Sequence, residues 1–547
     1  MRDSVLHLPL VDVETDNMWY VKVSDAEKNN QIGEFYFAIT PEKPDFYFPL
    51  YLDDKYNGQW IELSCTDKDV PENLFDGIIS GGTIEQHAEL YPDMYREEER
   101  QQVHFSSRRG WINDPNGLVY VNGEFHMSYQ HNPYCPNHNF ANVSWGLATS
   151  RDGVHFTEFP DIIRPRDAMI TVASGSAIID EDNISGQGKG TILAVYTALG
   201  AQMRKGRKSI SARGQMMEFS TDGGYTFYPS EHNPIIPIPE GESWRDPKIL
   251  RMDDGRLCIA VYETYEGQDV VSFYSSSDCI NWKHESRAMD LFECPDLFRM
   301  KVQETGEELW VLYGVRGIYR VGVFENFHFT QIGESGNLDY GTNTWAGQTW
   351  NSHPDNSEGR YHIAWLTNPA QNWCYHAETN HKTPFAQSLT VMTRLTLHKT
   401  KYGYRVFRKP IAAFSDLRDG NPITDSLTLC SDEAAPSNAT VSLPLNTPGD
   451  ATLTIDAKLP VSITVNGVGF EYSPGENILR FSGGNTYLPE KHDDLQVRII
   501  SDTNSIEFFI NDEISATYTC AERDKSLRIE SSDAYVYCQR WSLRSIW

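Results

Sequence analysis

Cysteine is scarce and badly arranged for cross-linking. Nine residues (65, 135, 258, 279, 294, 374, 430, 520 and 538) are an odd number, spread along 547 positions without CxxC spacing. This argues against a disulfide framework or a zinc ribbon and for mostly free thiols. Long apolar runs are also missing, so no segment reads as a transmembrane span. The start, Met1-Arg2-Asp3-Ser4-Val5-Leu6-His7, lacks the apolar centre of a signal peptide. Two readings stay open: a cytoplasmic chain, or a secreted, periplasmic or cell-surface protein whose leader was removed. Basic residues are in deficit, with 47 Lys and Arg against 76 Asp and Glu, a formal charge of −29. Phosphate backbones and anionic lipid surfaces are repelled by such a chain, which disfavours nucleic acid and membranes as partners. Amphipathic helical periodicity is nearly absent. The Gly81-Gly82 and Gly186–Gly190 stretches lack the strand–helix setting of a phosphate loop.

What is abundant is aromatic and β-forming. Aromatics make up 12% of the chain, enough for several large cores, and the length calls for two to four domains. Short β-rich runs separated by Asp-Gly, Asn-Gly and Asn-Pro turns indicate an all-β protein. Residues 1–97 form one unit, with strands expected at 18–23, 33–39, 46–52 and 59–65. In residues 98–413 a pattern repeats: Ser150-Arg151-Asp152 with Phe156, Ser220-Thr221-Asp222 with Phe227, and Ser276-Ser277-Asp278 with Trp282. Each copy reads as a strand entering an Asp-led turn that an aromatic covers. The spacing fits a four-stranded sheet per copy, hence a β-propeller of roughly five blades, with repeated hairpins in a sandwich as the alternative. Residues 414–547 alternate as a β-sandwich does, and 414–425 is expected to be the connecting loop.

Three acidic residues stand in comparable local settings: Asp114 in Trp111-Ile112-Asn113-Asp114-Pro115-Asn116-Gly117, Asp246 in Trp244-Arg245-Asp246-Pro247, and Glu293 in Phe292-Glu293-Cys294-Pro295-Asp296. In a propeller, inner strands from different blades converge on one funnel, and the nearby prolines fix the backbone there. Singly, each has an ordinary reading: a turn aspartate, a surface aspartate paired with Arg245, an edge-strand charge.

Together with Tyr129-Gln130-His131-Asn132-Pro133, Ser174-Gly175-Ser176-Ala177, Leu338-Asp339-Tyr340-Gly341 and Trp345-Ala346-Gly347-Gln348, these strings resemble the family 32 glycoside hydrolases. That family comprises β-fructosidases such as invertase, inulinase and levanase. The similarity runs over about residues 104–545, including Asp502-Thr503-Asn504-Ser505-Ile506-Glu507 in the last domain. It implies a five-bladed propeller with a C-terminal sandwich. It also implies a retaining hydrolase of β-fructofuranosyl linkages in fructans (levan, inulin) and sucrose, acting on a fructose-containing oligo- or polysaccharide without metal or cofactor.

By that resemblance Asp114 is the nucleophile and Glu293 the acid and base. Asp246 holds ring hydroxyls and supports the transition state. Such double displacement sets the two reacting carboxyl groups about 5–5.5 Å apart. It also requires an acid that starts protonated, which burial and neighbouring carboxylates promote. Arg245 is expected to keep Asp246 ionised, and Cys294 to be packing. Substrate contacts carry over at Trp111, Asn113, Gln130, Trp145, Ser176, Arg245, Tyr340 and Trp365, with Trp145 and Trp365 as apolar walls.

Two departures from the family pattern are Leu147 in place of histidine and Ala173 in place of phenylalanine. The alanine should widen the pocket toward longer chains and internal cleavage. His131, Cys135 and His138 have loosely metal-like spacing but read as a rim loop. A fructosyltransferase using the same triad, a non-catalytic sugar-binding propeller and an arabinan- or xylan-acting relative are the rival readings. Oligomeric state is not legible.

Overall fold

A computed structural model describes residues 5–547 apart from 12–17, 43, 45, 53, 68, 82–93, 135–141, 166–169, 201–212, 241, 372–382, 384, 431–437, 490–491 and 523. Among the described residues the ordered elements are strands and a few short 3-10 turns, and no helix is long and apolar enough to cross a membrane. Five antiparallel sheets succeed one another through the middle of the chain. They begin with the strands Gly110–Val121, Ile170–Asp180, Arg245–Arg251, Asp296–Lys301 and Thr344–Thr349. These first strands touch in chain order and the fifth touches the first. The sheets therefore surround an axis with their first strands innermost, which is propeller geometry and leaves few edges open. The short strand Phe385–Ala386, pairing in parallel with Gly110 and Trp111, reinforces the seam.

The repeated Ser-x-Asp pattern has one structural cause. Ser150, Ser220 and Ser276 each end the third strand of their sheet, and each hydroxyl donates to the aspartate two residues on, at 2.8–3.0 Å. The same carboxylates accept backbone N–H groups of the following turn. Between neighbouring sheets lie apolar cores such as Ile178, Leu193, Ile249 and Ile259. Burial of such side chains contributes about 1.5–3 kcal/mol each.

At the N-terminal end two three-stranded sheets enclose their own core of Leu8, Val21, Phe37 and Leu50. The four expected strands are present, but Val5–Leu10 is an additional, central one. Pro9 concealed it in the sequence. It is tolerated because the partner strand Ile79–Ser80 reaches only Leu6 and His7, so no donor is needed at Pro9 on that side.

Two six-stranded sheets complete the C-terminal end as a sandwich. Here the expected loop 414–425 is corrected. Arg418–Cys430 is a strand paired to Asp533–Leu543, and Gly420, Asn421 and Pro422 only bulge out of the ladder.

A buried charged cluster joins sandwich to propeller. His104 lies between Asp502 (Nδ1 to Oδ2, 2.8 Å) and Glu507 (Nε2 to Oε1, 2.9 Å), all three with fully buried side chains. Arg408 binds Asp339 at 2.7 Å and Glu507 at 3.3 Å. Burial alone would keep His104 neutral, but the two carboxylate hydrogen bonds outweigh it and raise its pKa to about 9.

Candidate active site

The innermost strands share one irregularity. Pairing slips between Ile112 and Pro115, between Val172 and Gly175, between Arg245 and Lys248, and between Trp345 and Gln348. Each slip takes two residues out of the ladder: Asn113-Asp114, Ala173-Ser174, Asp246-Pro247 and Ala346-Gly347. A bulge bends the strand and re-aims its side chains, and here four bulges do so at one level of the ring. The fourth sheet uses another device: Glu293 and Cys294, just ahead of Asp296–Lys301, have φ of 45° and 43°. Asp246 has a φ of 62°. Non-glycine residues rarely take this conformation, and a folded structure that holds them there stores local strain.

The carboxylates meet around a thiol. Cys294 Sγ is 3.5 Å from Asp114 Oδ2 and 3.5 Å from Asp246 Oδ2, and the Cys294 N–H donates to Asp246 at 3.2 Å. Glu293 is its chain neighbour. Residues far apart in sequence thus share one floor. Asp114 is further held by the Ser174 hydroxyl at 2.6 Å. Asn116 explains the second carboxamide of the Asn-Asp-Pro-Asn string. Its Nδ2 donates to the Asp114 carbonyl at 3.1 Å and its Oδ1 accepts from Gly175 N at 3.0 Å, tying the first sheet to the second. Gly175 is obligatory there, since a Cβ would stand 2.0 Å from the Val195 carbonyl oxygen.

Burial pushes the Asp114 carboxyl up to about 6, with the Glu293 charge adding to it and the Ser174 and Asn113 hydrogen bonds opposing. Asp246 is raised further, to about 7, by burial and by the charges of Glu293 and Asp114, against the pull of Arg245. The expected division of Arg245 is corrected. Its guanidinium hydrogen-bonds Glu293 through Nε at 3.0 Å and through Nη2, while Asp246 lies 3.8 Å away. The cation still favours an ionised Asp246 but does not outweigh burial. Arg245 is half-buried against Tyr262 and Phe292, and Arg316 stacks between Phe292 and Trp345. One flank is therefore an alternation of cations and rings.

Of the expected substrate contacts, Asn113 and Gln130 hydrogen-bond each other beside Asp114. Trp111 is fully buried and donates to Asn113 Oδ1 at 2.9 Å, which orients the carboxamide. The three expected tryptophan contacts are corrected by burial, Trp111 among them, and Ser176 and Tyr340 are engaged within the protein. Trp145 and Trp365 are each only 1% exposed. Trp145 donates to the Ala173 carbonyl and Trp365 to Gln387, both at 3.0 Å, so their rings are packed between strands and form no open wall. Ser176 donates to the Pro247 carbonyl and accepts from Ile249 N, joining the second sheet to the third. Tyr340 stacks on Phe481 of the sandwich, its ring centroid 5.6 Å away.

Ser174 is the residue that sequence reasoning passed over. Only the bulge decides which serine of Ser174-Gly175-Ser176 faces Asp114. Asp296 and Lys248 were passed over as well; their fully buried pair at 2.8 Å sits on the inner strands of the third and fourth sheets. His131 is bonded to Asp161 and to the Arg109 carbonyl, whereas Cys135 and His138 lie outside the described residues. Cys258, Cys279, Cys294, Cys430, Cys520 and Cys538 are free thiols. Asn142 exchanges hydrogen bonds with Tyr36 of the N-terminal sheets, and Tyr134 is buried against Phe37 and Phe48. The segment leaving Gln130 is thereby anchored at 134 and 142 on the N-terminal unit.

Fold and site together define a propeller with a carboxylate cluster at its centre. A family model described as "Glycosyl hydrolases family 32 N-terminal domain" matches residues 104–410, and the chain belongs to that family. A levanase of Bacillus subtilis (strain 168) is 29% identical over 408 residues, 70% of this chain and 56% of the relative. The chain thus spans little more than half of that enzyme's length. An extracellular exo-inulinase of Aspergillus niger is 28% identical over 381 residues, 62% of this chain and 68% of the relative. Among solved structures, an exo-inulinase from Aspergillus awamori superposes with a TM-score of 0.70 at 21% identity, over 83% of this chain and 100% of that one. That likeness establishes the shared fold.

Proposed function

We propose that this protein is a retaining glycoside hydrolase that cleaves β-fructofuranosyl linkages in fructans of the levan and inulin type, and in sucrose. The observation that carries the reading is the convergence on Cys294: Asp114 and Asp246 both touch its sulfur while Glu293 precedes it. Asp114, buried and held by Ser174, suits a nucleophile that must meet one carbon in one orientation. Its carboxylate attacks the anomeric carbon of the fructosyl unit as Glu293 delivers a proton to the departing oxygen, leaving a fructosyl ester on Asp114. Glu293 then takes a proton from water, whose oxygen attacks the same carbon, and Asp114 leaves as the carboxylate. Glu293 has a side chain 21% exposed, which suits a group that must exchange protons with leaving group and solvent. Asp246 accepts ring hydroxyls and opposes the positive charge of the transition state. Asn113 and Gln130 complete the fructosyl contacts, and Ala173 leaves room on the second-sheet side for longer chains.

In this reading residues 98–413 form a five-bladed propeller, 414–547 the sandwich and 1–97 an accessory β-domain. The protein would act outside the cytoplasm, a reading supported by the relative named an extracellular exo-inulinase. Asp114→Asn and Glu293→Gln should each lower fructose release by at least a thousandfold with the fold intact. Near-parental release from either variant would overturn the assignment of that residue. Chromatography of sucrose, inulin and levan digests separates the alternatives. Free fructose means action at chain ends, a ladder means internal cleavage, and products longer than the substrate mean transfer.

A further inference from the structure

The outer face of one sandwich sheet exposes two tyrosines in a row on a single strand. Along Asp533–Leu543, Ala534, Val536 and Cys538 point into the core, while Tyr535 and Tyr537 stand in solvent at 47% and 36% exposure. Alternate residues of a strand lie about 7 Å apart, so the two phenol rings form a short row. The row is bordered by hydroxyls. Tyr535 has Thr428 opposite on one side and Asp456 on the other; Tyr537 has Ser426 and Thr454. Gln539 continues the row between Thr424 and Thr452, and Thr454 donates to Gln496 on the next strand at 2.9 Å.

Charges gather at the two ends of the row: Asp456 beside Tyr535 and Asp533 two residues before it at one end, Asp450 at the other. Asp456 binds Lys458, and Asp450 binds Arg418 and Arg498. The Arg418 guanidinium covers Trp541 at 3.8 Å from its ring. The stretch around Tyr537 and Gln539, bordered by Ser426, Thr454, Thr424 and Thr452, carries no charge, on a chain with a formal charge of −29. The other end of the same sheet packs on the propeller through Ser505–Ile510 and Ile514–Thr519, so the strip is held rigidly beside the catalytic body.

Rigid tyrosines present large amphipathic contact area at low entropic cost. Flanked by hydroxyls and carboxamides, they match a neutral polyhydroxyl chain, whose C–H faces stack on rings and whose hydroxyls need both donors and acceptors. A stable protein interface buries about 800 Å² per partner in total around a closely packed apolar core, and this strip offers two rings among polar neighbours. We propose that the Tyr535–Tyr537 strip is a second binding surface for fructan polymer, separate from the carboxylate cluster, that keeps the chain near its substrate. The choice of fructan as the polymer rests on the function proposed above.

The test uses the full chain and its Tyr535→Ala/Tyr537→Ala and Tyr535→Phe/Tyr537→Phe variants, run in native gels containing levan or inulin. The parent should be retarded by one of the polymers. The alanine pair should lose at least fivefold in apparent affinity and the phenylalanine pair should keep most of it. Sucrose turnover should stay within twofold of the parent, while turnover on dilute polymer falls severalfold. Equal retardation of parent and alanine pair, or no retardation of the parent by either polymer, overturns the proposal. So does a shift from dimer to monomer in sedimentation with retardation unchanged, which would make the strip a contact between copies. A parent that releases no fructose but loses retardation in the alanine pair would refute the proposed activity and leave the binding surface standing.

Discussion

Replacing Asp114 by asparagine should silence the site and stabilise the folded chain. The carboxyl is held at about 6 against an ordinary value of 3.8, so the folded state binds its proton more tightly than the unfolded state does. The linkage has one sign. The penalty is absent below about pH 4, grows as pH rises toward 6, and is complete above 6. At about 1.4 kcal/mol per pH unit its full size is about 3 kcal/mol. Asparagine carries no charge, keeps an oxygen for the Ser174 hydroxyl and occupies nearly the same volume. Some of the gain is lost in partnering its amide, leaving about 1–3 kcal/mol. For a domain of this size that is a rise of a few degrees in the unfolding midpoint. Scanning calorimetry of parent and variant from pH 4 to pH 8 measures it. The difference should be near zero at pH 4 and positive at pH 7 and above. A variant less stable than the parent at pH 8, or a gain independent of pH, would refute the claim that burial of this charge is what raises its pKa.

The raised carboxyls also set the acid side of activity: with Asp114 near 6 and Asp246 near 7, kcat/KM should fall as pH drops through 7 to 6. Cys294→Ser tests whether the thiol tunes that limb. A hydroxyl is a stronger donor than a thiol to whichever of the two carboxylates takes its single proton, so the limb should move down by about half a pH unit, and an unchanged or raised limb would exclude the role. His104 gives the opposite dependence. Its pKa is raised to about 9 from 6.5, so the stability it contributes, about 3 kcal/mol, is whole below pH 6.5 and lost as pH rises through 9. His104→Gln should flatten the decline of the unfolding midpoint between pH 7 and 9.5; an equally steep decline in the variant would place the titration elsewhere.

Much of this molecule was legible in its one-dimensional pattern because the pattern is local. Alternation, turn residues and the Ser-x-Asp repeat act within a few positions, and they marked strands, sheets and the change of texture after the propeller. The three acidic strings were legible too, because proline and asparagine around an inner-strand carboxylate leave a recognisable run. What tertiary structure alone decided is direction. A bulge removes two residues from a ladder whose side-chain period is two, and its outcome depends on the neighbouring strand. That is why Ser174 faces Asp114 while Ser176 joins the second sheet to the third. The enclosure of the indole rings of Trp145 and Trp365 is likewise a result of packing between strands that are distant in sequence. Charge pairing is equally non-local. Arg245 is adjacent to Asp246 in the chain, yet its hydrogen bonds reach Glu293, on the neighbouring sheet's approach to the axis. Composition and spacing specify which groups are available, and the closure of the ring determines which of them meet.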